Sequence, residues 1–142
     1  AAQPRWQRSP QAYSVPAGLP ISIETNAMER ALLGADTSSV DRLGTRTLVA
    51  LERYRLEHGD YPDSLDALVG KQLDTLPLDP FSGKALCYRV LPSAKGALRT
   101  FDLYSVGLDG VDNGGERHPR QYEVWNPRTA PRYDYFFTDA VP

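Results

Sequence analysis

The chain has 142 residues, of which 41% are hydrophobic and 24% are charged, which suits one globular domain with its own buried core. The formal net charge is −2, and this lack of a basic excess argues against a nucleic-acid partner. The single cysteine, Cys87, excludes an internal disulfide, and two histidines make a Cys/His zinc site unexpected. No apolar run is long enough to span a membrane.

The first part of the chain is rich in proline and has little periodicity. Residues 1–20 carry four prolines, so we expect an extended arm there, followed by a single domain at 21–142. A short helix is predicted at about 26–33, because Thr25 is placed to cap it and Gly34 is placed to end it.

The clearest predicted element is a helix at about 39–58. Ser38 and Asp41 have the spacing of a capping box before it, and Gly59 is placed to end it. Side chains suited to a core recur within it at spacings of three and four, which indicates one buried stripe. The members of this stripe are Val40, Leu43, Thr47, Leu51 and Tyr54.

A second, shorter helix is predicted directly after the proline that follows the long one. Asp63 or Ser64 caps this helix at its start. Its apolar residues are Leu65, Leu68 and Val69, and their spacing predicts that all three point inward.

After this helix the apolar pattern changes from a helical period to alternation. Turn residues at 79–83 precede a strand at 86–90, and further strands are predicted at 100–106 and 133–138. Helices thus come first and strands follow, which indicates an α+β fold rather than alternating βαβ units. The predicted architecture is a set of N-terminal helices packed on a small antiparallel β-sheet.

The segment 109–116 concentrates carboxylate and amide side chains among three glycines. Calcium takes about six to eight oxygen ligands, and glycines let backbone carbonyls turn inward to supply some of them. The segment is a poor EF-hand, since Val111 occupies the third position and Arg120 stands where a bidentate glutamate is required. The same residue types also form solvated turns, so both interpretations stay open at this point.

Two further functions are compatible with the residues present. Trp6, Tyr122 and Trp125 lie in predicted arm or loop segments, where aromatic side chains often anchor a glycan or a peptide. This predicts a binding module as the alternative function. A hydrolase that uses the carboxylates of 109–116 is a third hypothesis, although the chain has neither a nucleophile elbow nor a glycine-rich phosphate loop.

The order of several short motifs resembles a known family. The run LERYRLEHGDYP at 51–62 is followed by SLDAL at 64–68, LPLDPFSG at 76–83 and FDLYSVGLDG at 101–110. This order resembles the periplasmic domain of the major pseudopilins of type II secretion, and a related C-terminal domain of bacterial envelope proteins with no settled function. The resemblance covers about 45–115, together with the segment from Asp134 to Phe137.

The resemblance implies a pseudopilin-like α+β fold in which a loop after the second strand binds calcium. Carried over position by position, Asp109 matches the first side-chain ligand of that loop, and the carbonyl of Val106 matches a backbone ligand. Asp134 is similar to the last aspartate of the family, and Asp112 is a further candidate. The insertion at 116–132 lengthens this loop relative to the family pattern.

The resemblance also implies a function and a location. It predicts a non-enzymatic structural or assembly domain that is periplasmic or otherwise extracytoplasmic. Its partners are then proteins of a secretion or envelope assembly, without nucleic acid. Pseudopilins begin with a hydrophobic helix that anchors them in the membrane, whereas this chain begins with the predicted arm. We therefore expect contact with a membrane only through a segment that is absent from this chain. Such a segment would anchor the full-length protein.

Overall fold

The structure, a computed structural model, describes Gln7 and residues 21–92, 98–119 and 133–138. One long helix packs on a small antiparallel sheet, so the predicted α+β fold is confirmed. Within the described residues, no helix combines the length and the hydropathy that crossing a membrane requires. The elements in chain order are α1 (Ile21–His58), a 3-10 helix (Leu65–Leu68), β1 (Cys87–Leu91), β2 (Thr100–Ser105) and β3 (Tyr135–Phe136).

Helix α1 runs without a break, so the prediction of two helices, at 26–33 and 39–58, is wrong. Gly34 is not among the glycines with a positive φ, and it therefore does not end a helix. The hydroxyl of Ser38 donates to the carbonyl of Gly34 at 2.7 Å instead of capping a new helix. Both residues lie inside one helix, where a serine side chain commonly bonds one turn back.

The end of α1 and its buried stripe are confirmed. Gly59 has φ +83°, and its N–H donates to the carbonyl of Arg55 at 2.7 Å, which closes the last turn. Val40, Thr47 and Leu51 are all fully buried. The period of three and four in the sequence therefore marks the face of α1 that packs on the sheet.

A glycine on the buried face of α1 lets the helix approach the end of the chain closely. A Cβ atom on Gly44 would lie 2.1 Å from the ring of Phe137, so any larger residue would displace that ring. Gly34, ten residues earlier in the same helix, has no neighbouring atom within 4 Å of the same position. Of these two glycines of α1, packing requires only Gly44.

The second predicted helix is a single turn of 3-10 helix. Leu65 and Leu68 are buried in it as predicted, and Ser64 takes the N-cap position without a side-chain cap hydrogen bond. The prediction that Val69 points inward is wrong, since its side chain is 38% exposed. The reason is that the helix stops at Leu68 and Val69 adopts extended backbone angles, so the helical spacing no longer applies to it.

The three strands form one antiparallel sheet in the order β1–β2–β3. The register of the first pair places Arg89 opposite Asp102. The strands predicted at 86–90 and 100–106 are confirmed, with ends that differ by one residue. The third strand is much shorter than the predicted 133–138, because only two of its residues pair in the ladder with β2.

The main core lies between α1 and the sheet, where Leu51 and Leu103 are both 0% exposed. Full burial of a leucine contributes about 1.5–3 kcal/mol. A smaller cluster joins Val40 to Phe81 and Val106, next to the loop that follows β2. The other buried members of the main cluster are Ala50, Tyr61, Leu65, Leu68, Leu73 and Leu86.

Candidate functional site

The segment from Val106 to Arg117, called here the 106–117 loop, leaves the end of β2 through a tight turn. Gly107 and Gly110 have φ +70°, a conformation that favours glycine, and the N–H of Gly110 donates to the carbonyl of Gly107 at 3.3 Å. A Cβ on Gly107 would lie 2.5 Å from the carbonyl oxygen of Tyr133. Glycine at this position therefore lets the loop pass directly against the segment that precedes β3.

Asp79 holds the start of the 106–117 loop in place through hydrogen bonds. Its carboxylate is 0% exposed and accepts the backbone N–H groups of Phe81 and Val106, each at 2.9 Å, together with a hydrogen bond from the Ser105 side chain. Burial raises the pKa of Asp79, because the charged form loses its hydration. The sequence analysis assigned Asp79 only to a turn, and its spacing gives no signal of this second role.

Asp134 organises the far side of the same loop. It is 2% exposed, and its carboxylate accepts the backbone N–H groups of Asn113 at 3.4 Å, Gly115 at 2.9 Å and Glu116 at 3.1 Å. Burial raises the pKa of Asp134, and the charge of Asp112 acts in the same direction. The structure thus places the predicted residue Asp134 at the loop, as the acceptor for its backbone.

The two other predicted carboxylates bind groups of the loop itself. Asp109 accepts the N–H of Val111 at 3.0 Å and the side-chain NH₂ of Asn113 at 3.1 Å. Asp112 accepts the N–H of Gly114 at 2.9 Å and the hydroxyl of Tyr104 at 3.2 Å. Asp109 and Asp112 are both exposed, in contrast to Asp134.

The fit of this loop to calcium depends on Asn113. The donor types suit a hard cation, since they are carboxylate and carbonyl oxygens. The Asn113 NH₂ group donates to Asp109 at 3.1 Å and to the carbonyl of Val111 at 3.1 Å, while its backbone N–H donates to Asp134. In the part of the chain that the structure describes, no three acidic, histidine or cysteine side chains are grouped closely enough to hold an ion. The donor types suit calcium, but the carboxylates of Asp109, Asp112 and Asp134 are not grouped closely enough in this structure to share one ion.

A second charged group attaches the loop to the outer face of the sheet. Asp102 accepts Arg89 at 2.6 Å with one carboxylate oxygen and Arg117 at 3.1 Å with the other. Arg117 also donates to the carbonyl of Thr138 at 2.8 Å, and its guanidinium lies 3.4 Å from the ring centroid of Phe136. The sequence analysis missed this arrangement.

The predicted binding residues Trp6, Tyr122 and Trp125 lie outside the described residues, as does the arm at 1–20 apart from Gln7. These predictions therefore stay predictions. Cys87 is half-buried in β1, and burial raises the pKa of its thiol to about 11. A thiol that stays protonated at neutral pH acts as a small apolar side chain rather than as a nucleophile.

The long helix on a three-stranded antiparallel sheet, with an ordered loop after the second strand, defines a pseudopilin-like α+β domain. The family model of the type II secretion system (T2SS), protein G, matches residues 25–125, and the chain belongs to this family. The resemblance stated from the sequence motifs is thereby confirmed, and the match reaches further toward the N-terminus than those motifs do. No match was found among the curated proteins or among the solved structures.

Membership of this family gives the chain a pseudopilin-like role in type II secretion, and so in protein transport. The proteins of this family are structural and extracytoplasmic, and they assemble with other secretion proteins. The described part of the chain agrees with a structural role in one specific respect. Asp79, Asp102 and Asp134 are all buried, and each of them accepts hydrogen bonds from its own chain.

Proposed function

We propose that this domain is a non-enzymatic assembly unit of a type II secretion apparatus and acts on the extracytoplasmic side of the membrane. The observation that supports this most strongly is the family match over 25–125, which includes α1 from residue 25 onward, the sheet strands β1 and β2, and the whole 106–117 loop. The proposal needs a rigid surface rather than a reactive group. Asp79, Asp102 and Asp134 support it because they hold the loop against the sheet.

The experiment is deletion of the gene in its native host, followed by measurement of secreted proteins in the culture medium. We expect secreted proteins to accumulate inside the cell after deletion, and the full-length protein to restore their release. A cytoplasmic marker enzyme in the medium controls for lysis. Unchanged secretion in the deletion strain would show that the domain serves another process, despite its family.

The location has its own test. A phosphatase that is active only after forming disulfides reports export, because disulfides form outside the cytoplasm. This phosphatase is fused directly after Pro142, with everything that precedes Pro142 in the full-length protein retained, and is expected to be active. A matched fusion of β-galactosidase, which works in the cytoplasm, is expected to be inactive. The reverse pattern would contradict an extracytoplasmic location.

The same proposal includes calcium bound at the 106–117 loop through Asp109, Asp112, Asp134 and the carbonyl of Val106, which requires these carboxylates to move closer together than they lie in the structure. What supports it is that Asp109, Asp112 and Asp134 all accept backbone N–H groups of the 106–117 loop. Carboxylate oxygens are the ligands that calcium prefers. Calcium would act structurally, by fixing the loop.

A further inference from the structure

Asn113 is the one asparagine of this chain that a glycine follows. The side-chain carbonyl carbon of an asparagine can be attacked by the backbone nitrogen of the next residue, and asparagine is accordingly a thermolabile residue. A glycine in the next position has no Cβ to obstruct that approach. Of the other two asparagines, Asn26 precedes Ala27, and Asn126 precedes a proline, which has no N–H to lose. The sequence therefore singles out the bond between Asn113 and Gly114.

The structure leaves this bond open to solvent. Gly114 is exposed, and outside its two chain neighbours no atom lies within 4 Å of the position that a Cβ would occupy on it. Its φ is +74°, a conformation that favours glycine. Asn113 itself is half-buried. Water, which hydrolysis of the attacked group consumes, therefore has access to this bond.

Hydrogen bonds within the 106–117 loop restrain the two reacting groups. The N–H of Gly114 donates to Asp112 at 2.9 Å. The side-chain NH₂ of Asn113 donates to Asp109 and to the carbonyl of Val111, each at 3.1 Å. To react, this side chain has to leave both acceptors, and the backbone nitrogen has to lose its proton. The Asp112 carboxylate opposes that loss, because a negative charge disfavours the formation of another beside it.

We propose that Asn113 is a site of spontaneous deamidation, and that opening of the 106–117 loop sets its rate. The backbone nitrogen of Gly114 forms a bond to Cγ of Asn113, and the bond from Cγ to the side-chain nitrogen breaks. That nitrogen leaves as ammonia and carries away the proton from Gly114. Water then adds to either carbonyl of the resulting five-membered imide. The products are aspartate, or isoaspartate, in which the main chain runs through the former side chain.

Either product changes the contacts of the loop. A carboxylate at position 113 turns two acceptors, Asp109 and the carbonyl of Val111, toward a third acceptor and adds one negative charge. Isoaspartate also lengthens the main chain between the N–H groups of Asn113 and Gly115, both of which Asp134 accepts. The modification would thus release the loop while the helix and the sheet stay intact. This proposal depends neither on secretion nor on calcium.

The test follows the reaction by mass spectrometry while the folded protein is incubated at mildly alkaline pH. Trypsin releases the fragment 100–117, in which replacement of NH₂ by OH shifts the mass, and chromatography separates the two products. The reference is a synthetic peptide of the same fragment, which lacks the contacts of the folded loop. We expect Asn113 to react at least about tenfold more slowly in the protein than in the peptide, because the loop has to open first.

Asp112→Ala is expected to raise the rate in the folded protein toward that of the peptide, since it frees the N–H of Gly114 and removes the nearby charge. The same substitution in the peptide controls for a change in intrinsic reactivity. Asp109→Ala frees the side chain instead and should act in the same direction. The matched control is Asp66→Ala, which removes an exposed carboxylate outside the loop and should leave the rate unchanged. Thermal melting checks that the variants fold.

Asn113→Gln identifies the reacting side chain. It should abolish the mass shift, because the longer side chain would have to close a less favourable six-membered ring. A shift that persists in this variant would overturn the proposal. So would equal rates in the folded protein and the peptide, or equal rates in Asp112→Ala and Asp66→Ala. Asn113 that stays intact in every folded variant after the peptide has reacted would also overturn it.

Discussion

Asp79 and Val106 are joined by a hydrogen bond of 2.9 Å between a fully buried carboxylate and a backbone N–H. This contact links the turn before β1 to the end of β2, at the start of the 106–117 loop. Burial makes this hydrogen bond important to stability. If the acceptor were removed, the buried N–H group would have lost its hydrogen bonds to water without gaining a partner in the protein. The stability of the loop therefore depends on a residue far from it in sequence.

We predict that Asp79→Ala lowers the free energy of unfolding by about 3–5 kcal/mol, because it leaves several buried donors unpaired. Asp79→Asn keeps one acceptor oxygen and is expected to lose less. Urea denaturation measures both. Asp66→Ala, at an exposed position, is the control and should stay within about 0.5 kcal/mol of the unchanged protein. A loss for Asp79→Ala as small as that of the control would contradict the role of Asp79.

Two glycines of α1 are predicted to respond to alanine with opposite signs. Gly34→Ala should stabilise the protein by about 0.5–1 kcal/mol, because alanine favours the helix and nothing lies near the new methyl group. Gly44→Ala gains the same propensity but drives its methyl group into the ring of Phe137. We expect a net loss of about 1–3 kcal/mol there. Thermal melting of the pair decides, and stabilisation by both would show that α1 does not approach Phe137 so closely.

Calcium is predicted to raise the melting temperature, whereas magnesium and chelator are not. An ion that binds only the folded state stabilises it by about 2.7 kcal/mol at a hundredfold excess over its dissociation constant. For a domain of this size the midpoint should rise by several degrees. Asp109→Ala should abolish the rise, and Asp66→Ala, which is remote from the loop, should keep it. No calcium-specific rise would mean that polypeptide contacts alone hold the loop.

Tyr61 is predicted to weaken the protein at alkaline pH. Burial, and then the hydrogen bond to Glu52, raise the pKa of Tyr61 to about 12. The unfolded chain loses this proton near pH 10, as an ordinary tyrosine does. Its stabilising contribution is therefore complete below about pH 10 and is lost as the pH rises toward 12. For Tyr61→Phe, urea denaturation should show a smaller decrease in the free energy of unfolding between about pH 10 and 12 than for the unchanged protein. An equal decrease in both proteins would contradict the assignment.

The helix face and the strands could be predicted from the sequence because their signals are local. The stripe around Leu51 repeats with the period of a helix, and the residues of β2 alternate with the period of a strand. The break at Gly34 was predicted from the same local information and is wrong. One glycine costs a helix only about 1 kcal/mol, which neighbouring helical turns readily offset.

The roles of the buried carboxylates could not be predicted in the same way. Asp79 bonds a residue 27 positions away, and Asp102 bonds Arg89 across 13 positions. Asp134 receives the N–H of Gly115 from 19 positions away. No spacing rule links such pairs, since only the completed fold brings them together. For Asp134 the family resemblance supplied the location that periodicity could not.

The contact between Glu116 and Asp134 affects how easily the length of the chain between them can change among related proteins. The carbonyl of Glu116 accepts the N–H of Asp134 at 3.0 Å, so the stretch of chain between them leaves and returns at one point. Doubling the length of a segment closed in this way costs only about 0.6 kcal/mol. Residues can therefore be added between Arg117 and Tyr133 at little thermodynamic penalty. Variation in length there would let related proteins acquire different attachments while the helix and sheet remain unchanged.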